Sequence, residues 1–114
     1  MDLKRSDLLQ GTLDLLILKT IEHRPLHGYA MAQRILETSR EVLTVQQGSL
    51  YPALHRLERK GLITAEWREA ESKRMAKFYS LTASGRTQLA EEMDQWQRYA
   101  RAIQWVLQAP EVAS

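Results

Sequence analysis

Apolar positions in the first half of the chain recur at steps of three and four, which is the period of an α-helix. A first helix is predicted over Gln10–His23, where apolar residues on the opposite face as well indicate burial on most sides. Arg24–Gly28 interrupts it, because proline disfavours helix in the residue before it and glycine permits a turn. Further helices are predicted over Tyr29–Ser39 and Gln47–Lys60, and Gly61 is placed to end the third.

The second and third helices each have an apolar face that we expect to pack into a shared core. Pro52 lies inside the predicted third helix, although proline removes a backbone donor and disfavours helix interiors. The helix accommodates it if it starts late, with Ser49 as its N-cap, or if its first turns are irregular. The residues predicted to face the core are Tyr29, Ala32, Ile35 and Leu36 on the second helix and Leu50, Leu54 and Leu57 on the third.

The pattern then changes period. Alternating apolar and polar residues over Ile63–Arg68 and a short β-prone run over Phe78–Leu81 predict two strands. The polar segment Glu69–Met75 joins them, so the strands form a hairpin whose tip is a wing. From Ser84 a last helix carries a heptad seam that requires a partner helix. The seam residues, spaced alternately by four and three, are Leu89, Met93, Trp96, Ala100, Ile103 and Leu107.

Three helices, a wing and one long helix are the layout of a winged helix-turn-helix with a C-terminal dimerisation helix. The fold class is therefore mainly α with a small β-hairpin. A chain of 114 residues is long enough for one domain with a modest core plus one extra element. We expect a DNA-binding domain over residues 1–82, the dimerisation helix over residues 83–109 and a disordered tail over residues 110–114.

Composition narrows the setting. The chain has no cysteine, which removes disulfides, thiolate catalysis and cysteine-ligated zinc and fits a reducing, cytoplasmic compartment. The apolar run Leu13–Leu18 is too short and too polar for a signal peptide or a membrane span, so no membrane partner is expected. The net charge of +2 is only mildly basic, but residues 55–77 carry seven Lys and Arg against four Glu. The basic excess therefore lies in the middle of the chain.

The exposed face of the predicted third helix carries side chains that suit the phosphate oxygens and base edges of DNA. A charged face taken alone is more often a solvated amphipathic surface, and for this helix alone that alternative stays open. A basic helix followed by a basic hairpin in one small domain favours double-stranded DNA as the partner. The residues on this face are Ser49, Tyr51, His55, Arg56, Arg59 and Lys60.

The segment Gly48–Ile63 reads GSLYPALHRLERKGLI and resembles the recognition-helix signature of the PadR family of bacterial transcriptional regulators. Leu9–Leu13 resembles the family's first helix, and His27–Tyr29 resembles the start of its second. Ala76–Gly85 is similar to its second wing strand and the turn into its last helix. The resemblance covers nearly the whole chain, and the single long C-terminal helix resembles the shorter of the family's two architectures.

This resemblance implies a homodimeric regulator, usually a repressor, that binds a roughly palindromic operator and leaves it when an effector binds. The alternative for Tyr51 is a half-buried packing role. Arg59 and Lys60 are left out of the expected site, because cations near a helix C-terminus also offset the helix dipole. Met75 departs from the basic residue expected at the wing tip. The resemblance implies DNA contacts by Tyr29, Ser49, Tyr51, His55, Arg56, Lys73, Arg74 and Lys77.

Trp96 lies at what resembles the place where some drug-sensing relatives use a tryptophan to stack planar, apolar ligands between two subunits. It is therefore a candidate for binding a small apolar or aromatic effector. An aromatic residue on a heptad seam is more often dimer packing, so that alternative remains. Trp105 lies off the seam, and we expect it to cover an apolar surface of the partner subunit.

Other classes of function have little support in the sequence. No nucleophile, base and orienting residue can be assembled from motifs, and glycine-rich phosphate loops are missing, so no enzyme is expected. His23 and His27 have a metal-chelating spacing, but Pro25 lies between them and companion ligands are missing, so neither a metal nor a cofactor is expected. A DNA-independent dimeric adaptor or drug-sequestering protein remains the alternative, although it would not need the basic residues.

Overall fold

The computed structural model describes residues 12–111, which form four α-helices and a three-stranded antiparallel sheet. The predicted fold, mainly α with a winged hairpin and one long C-terminal helix, is confirmed. The strand order is β1-β3-β2. In chain order the elements are α1 (Leu13–Thr20), β1 (Leu26–His27), α2 (Gly28–Thr38), α3 (Gln47–Arg59), β2 (Ile63–Glu69), β3 (Met75–Leu81) and α4 (Ala83–Gln108).

The core collects apolar side chains from all four helices and from the sheet. Within residues 12–111 no polar or charged side chain is buried with it. The cluster therefore depends on hydrophobic burial and close packing. Its members are Leu13, Ile17, Leu18, Ile21, Met31, Ile35, Val45, Leu50, Ala53, Leu54, Leu57, Ile63, Tyr79 and Leu89.

The first helix is shorter than predicted. Its predicted start at Gln10 lies outside the described residues. It ends at Thr20 instead of His23, because the Glu22 N–H donates to the Lys19 carbonyl at 3.3 Å in a tighter turn. Most of its side chains are at least partly buried, as the apolar residues on both faces predicted.

The buried face of α2 is shifted by one residue from the predicted one. Met31 and Ile35 are buried, whereas Tyr29 is 61% exposed, so its prediction as a core residue was wrong. The reason is the rotation of the helix about its axis: positions 28, 31 and 35 face the core, and Tyr29 lies beside that buried line. His27 caps this helix, since its Nδ1 accepts the Ala30 N–H at 3.2 Å.

Helix α3 runs through Pro52 without starting late. It begins at Gln47, and the Leu50 N–H donates to the Gln46 carbonyl at 2.9 Å, so Ser49 is not the N-cap. Pro52 has no N–H to donate to the Gly48 carbonyl four residues before it. Both residues are exposed, so water can satisfy that carbonyl.

The wing hairpin is longer than predicted, because its ladder extends to the pair Glu69 and Met75 and leaves a turn over residues 70–74. A third strand, β1, was missed. It pairs Leu26 with Tyr79 and His27 with Phe78, and two residues are too few to show an alternating pattern. This strand ties the start of α2 to the wing.

The long helix α4 starts at a tight joint with the end of α3. Thr82 caps it by accepting the Gly85 N–H on its hydroxyl at 3.0 Å. The same hydroxyl donates to the carbonyls of Gly61 and Leu62, at 2.7 and 3.0 Å. Of the seam, Leu89 lies in the core, and the later turns project from it, which is reflected in overall dimensions of 65 × 32 × 21 Å.

Candidate nucleic-acid interface

The face of α3 opposite its buried side forms a continuous exposed line. Leu50, Ala53, Leu54 and Leu57 are buried. Gly48, Pro52, His55 and Arg59 follow one another at steps of four, three and four, and all are exposed. Arg59, which sequence reasoning left out, thus lies on the middle line of the face. The signal that could have found it is its spacing of four from His55.

Tyr51 lies at the edge of this face that is nearest to α2 and the wing. Its hydroxyl and ring come within 2.8 to 3.0 Å of where a β-carbon on Gly28 would be, so the ring packs directly on the glycine backbone. The side chain nevertheless remains 45% exposed. The ring therefore packs on Gly28, while its exposed part stays accessible. Tyr29 lies nearby and accepts a hydrogen bond from Gln33 Nε2 at 3.0 Å.

Arg56 lies at the opposite edge of the α3 face, next to α1. Its Nη2 donates to Asp14 Oδ1 at 2.6 Å, and the Arg56 side chain is 44% exposed. The guanidinium is therefore accessible but already paired with a carboxylate. Ser49 is half-buried and His55 is exposed on the same helix, so the predicted residues of α3 are spread around the face.

The wing contributes cations from its inner face and its turn. Lys77 is paired in register with Trp67 and lies 3.5 Å from a carboxylate oxygen of Glu58. Its ammonium also lies 5.8 Å from the centre of the Tyr79 ring. Burial raises the pKa of the Tyr79 phenol, and the nearby Glu58 carboxylate adds to the rise. Lys73 occupies the turn with a φ of 67°, a left-handed conformation that favours glycine.

A groove of about 520 Å³ separates the start of α2 and the edge of α3 from the wing. It brings together four of the eight predicted DNA-binding residues, namely Tyr29, Tyr51, Arg74 and Lys77. Among the described residues, its lining contains no carboxylate. Trp67, which is 64% exposed, also lines the groove and was missed because alternation in the strand indicated only an apolar position. Ser49, His55, Arg56 and Lys73 lie outside it.

The seam of α4 becomes exposed as the helix leaves the core. Trp96 is 44% exposed, Ile103 41% and Leu107 74%, while Met93 and Ala100 are half-buried. Trp96 lines a hollow of about 240 Å³ with Thr12 and Leu15, next to α1. Trp105 is exposed on the opposite side of α4. The single chain therefore leaves a large apolar strip in contact with solvent.

Residues 12–111 contain neither a cluster of metal-ligating side chains nor a helix that could span a membrane. In that range no group of three or more His, Asp or Glu side chains could hold a metal ion. No helix there is long and apolar enough to cross a membrane.

The known proteins that this chain resembles include transcriptional regulators. A model of the transcriptional regulator PadR-like family matches residues 17–91. The transcriptional regulator Rv3488 of Mycobacterium tuberculosis is 38% identical over 77 residues, which cover 68% of each chain. A PadR-like transcriptional regulator from Bacillus cereus has a TM-score of 0.79 at 27% identity, covering 92% of this chain and 100% of its own. A PadR family regulator from Eggerthella lenta has a TM-score of 0.76 at 30% identity, covering 91% and 88%.

Proposed function

Because this chain belongs to the PadR-like family of transcriptional regulators, we propose that it is a repressor that binds a palindromic operator as a homodimer. A small apolar or aromatic effector releases it from the DNA. The DNA-binding domain spans residues 1–82 and the dimerisation helix residues 83–109, and the protein acts in the cytoplasm. The observation that carries this proposal is the exposed line of α3 beside a groove whose described lining includes cations and no carboxylate.

DNA binding is supported by the shape and charge of this surface. The middle line of α3, with His55 and Arg59, suits the floor of the major groove, where arginine can bind guanine in a bidentate way. The groove beside it offers Arg74 and Lys77 to a phosphate backbone, while Tyr29, Tyr51 and Trp67 give it apolar walls. Ser49, Arg56 and Lys73 complete the proposed interface at its edges. Lys77 lies 3.5 Å from a carboxylate oxygen of Glu58, and Arg56 is paired with Asp14 at 2.6 Å, so a carboxylate moderates the contribution of each.

Dimerisation is supported by the strip on α4. A lone helix that exposes Trp96, Ile103 and Leu107 on one face gains from pairing with the same face of a second copy. Leu89 and Met93 belong to the seam but pack partly or fully against the chain's own core. The interface therefore depends mainly on the part of the seam from Trp96 onward, including Ala100.

The effector site is proposed at Trp96. The indole already forms part of the wall of a hollow next to α1, and the Tyr99 ring centre lies 6.3 Å from it. In a dimer the partner's copy of this face would form the opposite wall. A planar apolar molecule suits such a space, because aromatic rings stack favourably in offset geometry.

A selection from a pool of random-sequence duplexes tests DNA binding. We expect enriched duplexes to contain two symmetric half-sites with centres roughly 34 Å apart, about one helical turn. In fluorescence anisotropy the enriched duplex should bind more tightly than a scrambled one and loosen steeply as salt rises. Arg59→Gln should weaken binding, whereas Arg98→Gln, which removes the same charge on α4, should not. Failure to enrich any duplex would favour the DNA-independent adaptor.

Sedimentation velocity tests the dimer. Ile103→Lys places a charge in the seam outside the core and should give a folded monomer. Thr87→Lys adds the same charge on the far side of α4 and should leave the dimer intact. A point variant is preferable to truncation after Thr82, because truncation would also remove Leu89 from the core. A dimer that survives Ile103→Lys would place the main interface elsewhere.

A further inference from the structure

Asp14 of α1 and Arg56 of α3 form an ion pair across 42 positions of sequence, on the side of the molecule proposed to face DNA. The donor and acceptor atoms are 2.6 Å apart, which is a short charge-assisted hydrogen bond. Both side chains are partly accessible, Arg56 at 44% and Asp14 at 28%. We propose, building on the proposed function, that Asp14 is a specificity-determining residue that holds Arg56 back from nonspecific DNA.

The pairing singles out Arg56 among the basic residues of α3 and its C-cap. Within the part of the chain that the structure describes, no carboxylate lies within ion-pair distance of His55, Arg59 or Lys60. Those residues can therefore meet a phosphate without first giving up a protein partner. Arg56 must exchange its bond to Asp14 for a bond to DNA.

This exchange has different consequences on the two kinds of DNA. Nonspecific binding comes from cations that displace condensed counterions, and an arginine that a carboxylate already compensates displaces fewer. A guanine at the right position in the operator offers two acceptors to one guanidinium, so it can replace the single bond to Asp14. Asp14 therefore lowers affinity for random sequence more than affinity for the operator. It acts through Arg56 and needs no contact of its own with DNA.

The test measures anisotropy with the enriched duplex and with a scrambled duplex over a series of salt concentrations. The variants are Asp14→Asn, Arg56→Gln and the double variant. Glu91→Gln, on an exposed position of α4, is the control because it changes net charge by the same amount as Asp14→Asn. Melting temperatures of all variants show whether the pair also stabilises the fold.

We expect Asp14→Asn to tighten binding to the scrambled duplex by up to about fivefold, the factor that corresponds to an ion pair between partly exposed groups. Its salt dependence should steepen by about 0.9 in the logarithmic slope, as for one additional phosphate contact. Both changes should exceed those of Glu91→Gln and vanish in the double variant. Arg56→Gln alone should weaken binding to the enriched duplex, while its affinity for the scrambled duplex should stay within about twofold of wild type.

Two results would overturn the inference while leaving DNA binding in place. One is a salt slope for Asp14→Asn that equals the slope for Glu91→Gln. If the melting temperature of Asp14→Asn fell at the same time, the ion pair would have a purely structural role. The other is an Asp14→Asn effect that persists without Arg56. If the wild-type protein bound neither duplex, the proposed function and this inference would both fail, and that outcome is distinct from the first two.

Discussion

Gly85 in the first turn of α4 is the position where a single methyl group should be most disruptive. A β-carbon there would lie well inside contact distance of the Leu62 carbonyl oxygen and 2.8 Å from Leu81 Cδ1. The first obstacle is backbone, which cannot rotate away as a side chain can. To restore an ordinary carbon–oxygen separation, α4 would have to move by roughly 1.5 Å from the end of α3.

That movement would break the joint on which α4 starts. The Leu62 carbonyl accepts from both the Thr82 N–H and the Thr82 hydroxyl, at 3.1 and 3.0 Å. Overpacking costs about 1–3 kcal/mol, and the weakened cap and the lost hydrogen bond cost about 1 kcal/mol each. The higher helix propensity of alanine offsets about 1 kcal/mol of this cost. We therefore expect Gly85→Ala to lower the free energy of unfolding by about 2–4 kcal/mol.

Urea unfolding followed by circular dichroism at one fixed protomer concentration measures this change, because the stability of the proposed dimer would depend on concentration. With a slope of about 2 kcal/mol per M, the midpoint should fall by about 1–2 M. Gly48→Ala is the matched control: among the described residues nothing lies within 4 Å of where its β-carbon would be, and its midpoint should stay or rise. Equal midpoints for Gly85→Ala and wild type would refute the close-approach argument.

Local geometry supports three further predictions. Lys73→Gly should stabilise the wing turn by about 1 kcal/mol in urea unfolding, since it relieves a left-handed conformation, yet weaken DNA binding; a loss of stability would contradict this. Gly28→Ala should push the Tyr51 ring aside with little loss of stability, because the obstacle is a side chain, and any drop in DNA affinity then reports on Tyr51. The hydrogen bond from Lys19 lowers the pKa of the Glu22 carboxyl below its ordinary value of 4.5. As the pH falls, Glu22 therefore binds a proton in the unfolded chain before it does so in the folded chain, and the free energy of unfolding decreases from about pH 4.5 down through the lowered pKa. In Lys19→Ala the urea midpoint should depend less steeply on acid pH, and an unchanged dependence would exclude this pair as its source.

The elements that could be predicted from the sequence are those whose periodic pattern extends over several turns or a full hairpin. The three short helices, the wing and the long α4 all belong to this class. The predicted core face of α2 was wrong by one residue, because Tyr29 and Met31 are both large and apolar in part, and only packing decides which one is buried. Strand β1 was not predicted, because two residues are too few to show an alternating pattern of apolar and polar positions.

The composition of the candidate surface was predictable from residue type, but the ion pairs on it were not. Basic and aromatic residues in α3 and the wing indicated a DNA-facing surface, and the groove brings Tyr29, Tyr51 and Lys77 together. The sequence does not encode which cation already has a partner, since Asp14 and Arg56 are distant along the chain and meet only through the packing of α1 on α3. Arg59 was set aside on a helix-dipole argument that said nothing about the direction of its face.

The joint at Thr82 also limits which properties of the proposed operator the face of α3 can determine. The Thr82 hydroxyl is hydrogen-bonded to both the Gly61 and Leu62 carbonyls. This bonding fixes the direction in which α4 leaves the domain relative to the end of α3. In a symmetric dimer held along α4, the distance between the two α3 helices then depends on that direction and on the seam register. Substitutions on the face of α3 should therefore change which bases are preferred, while half-site spacing should respond to changes at the joint or in the seam.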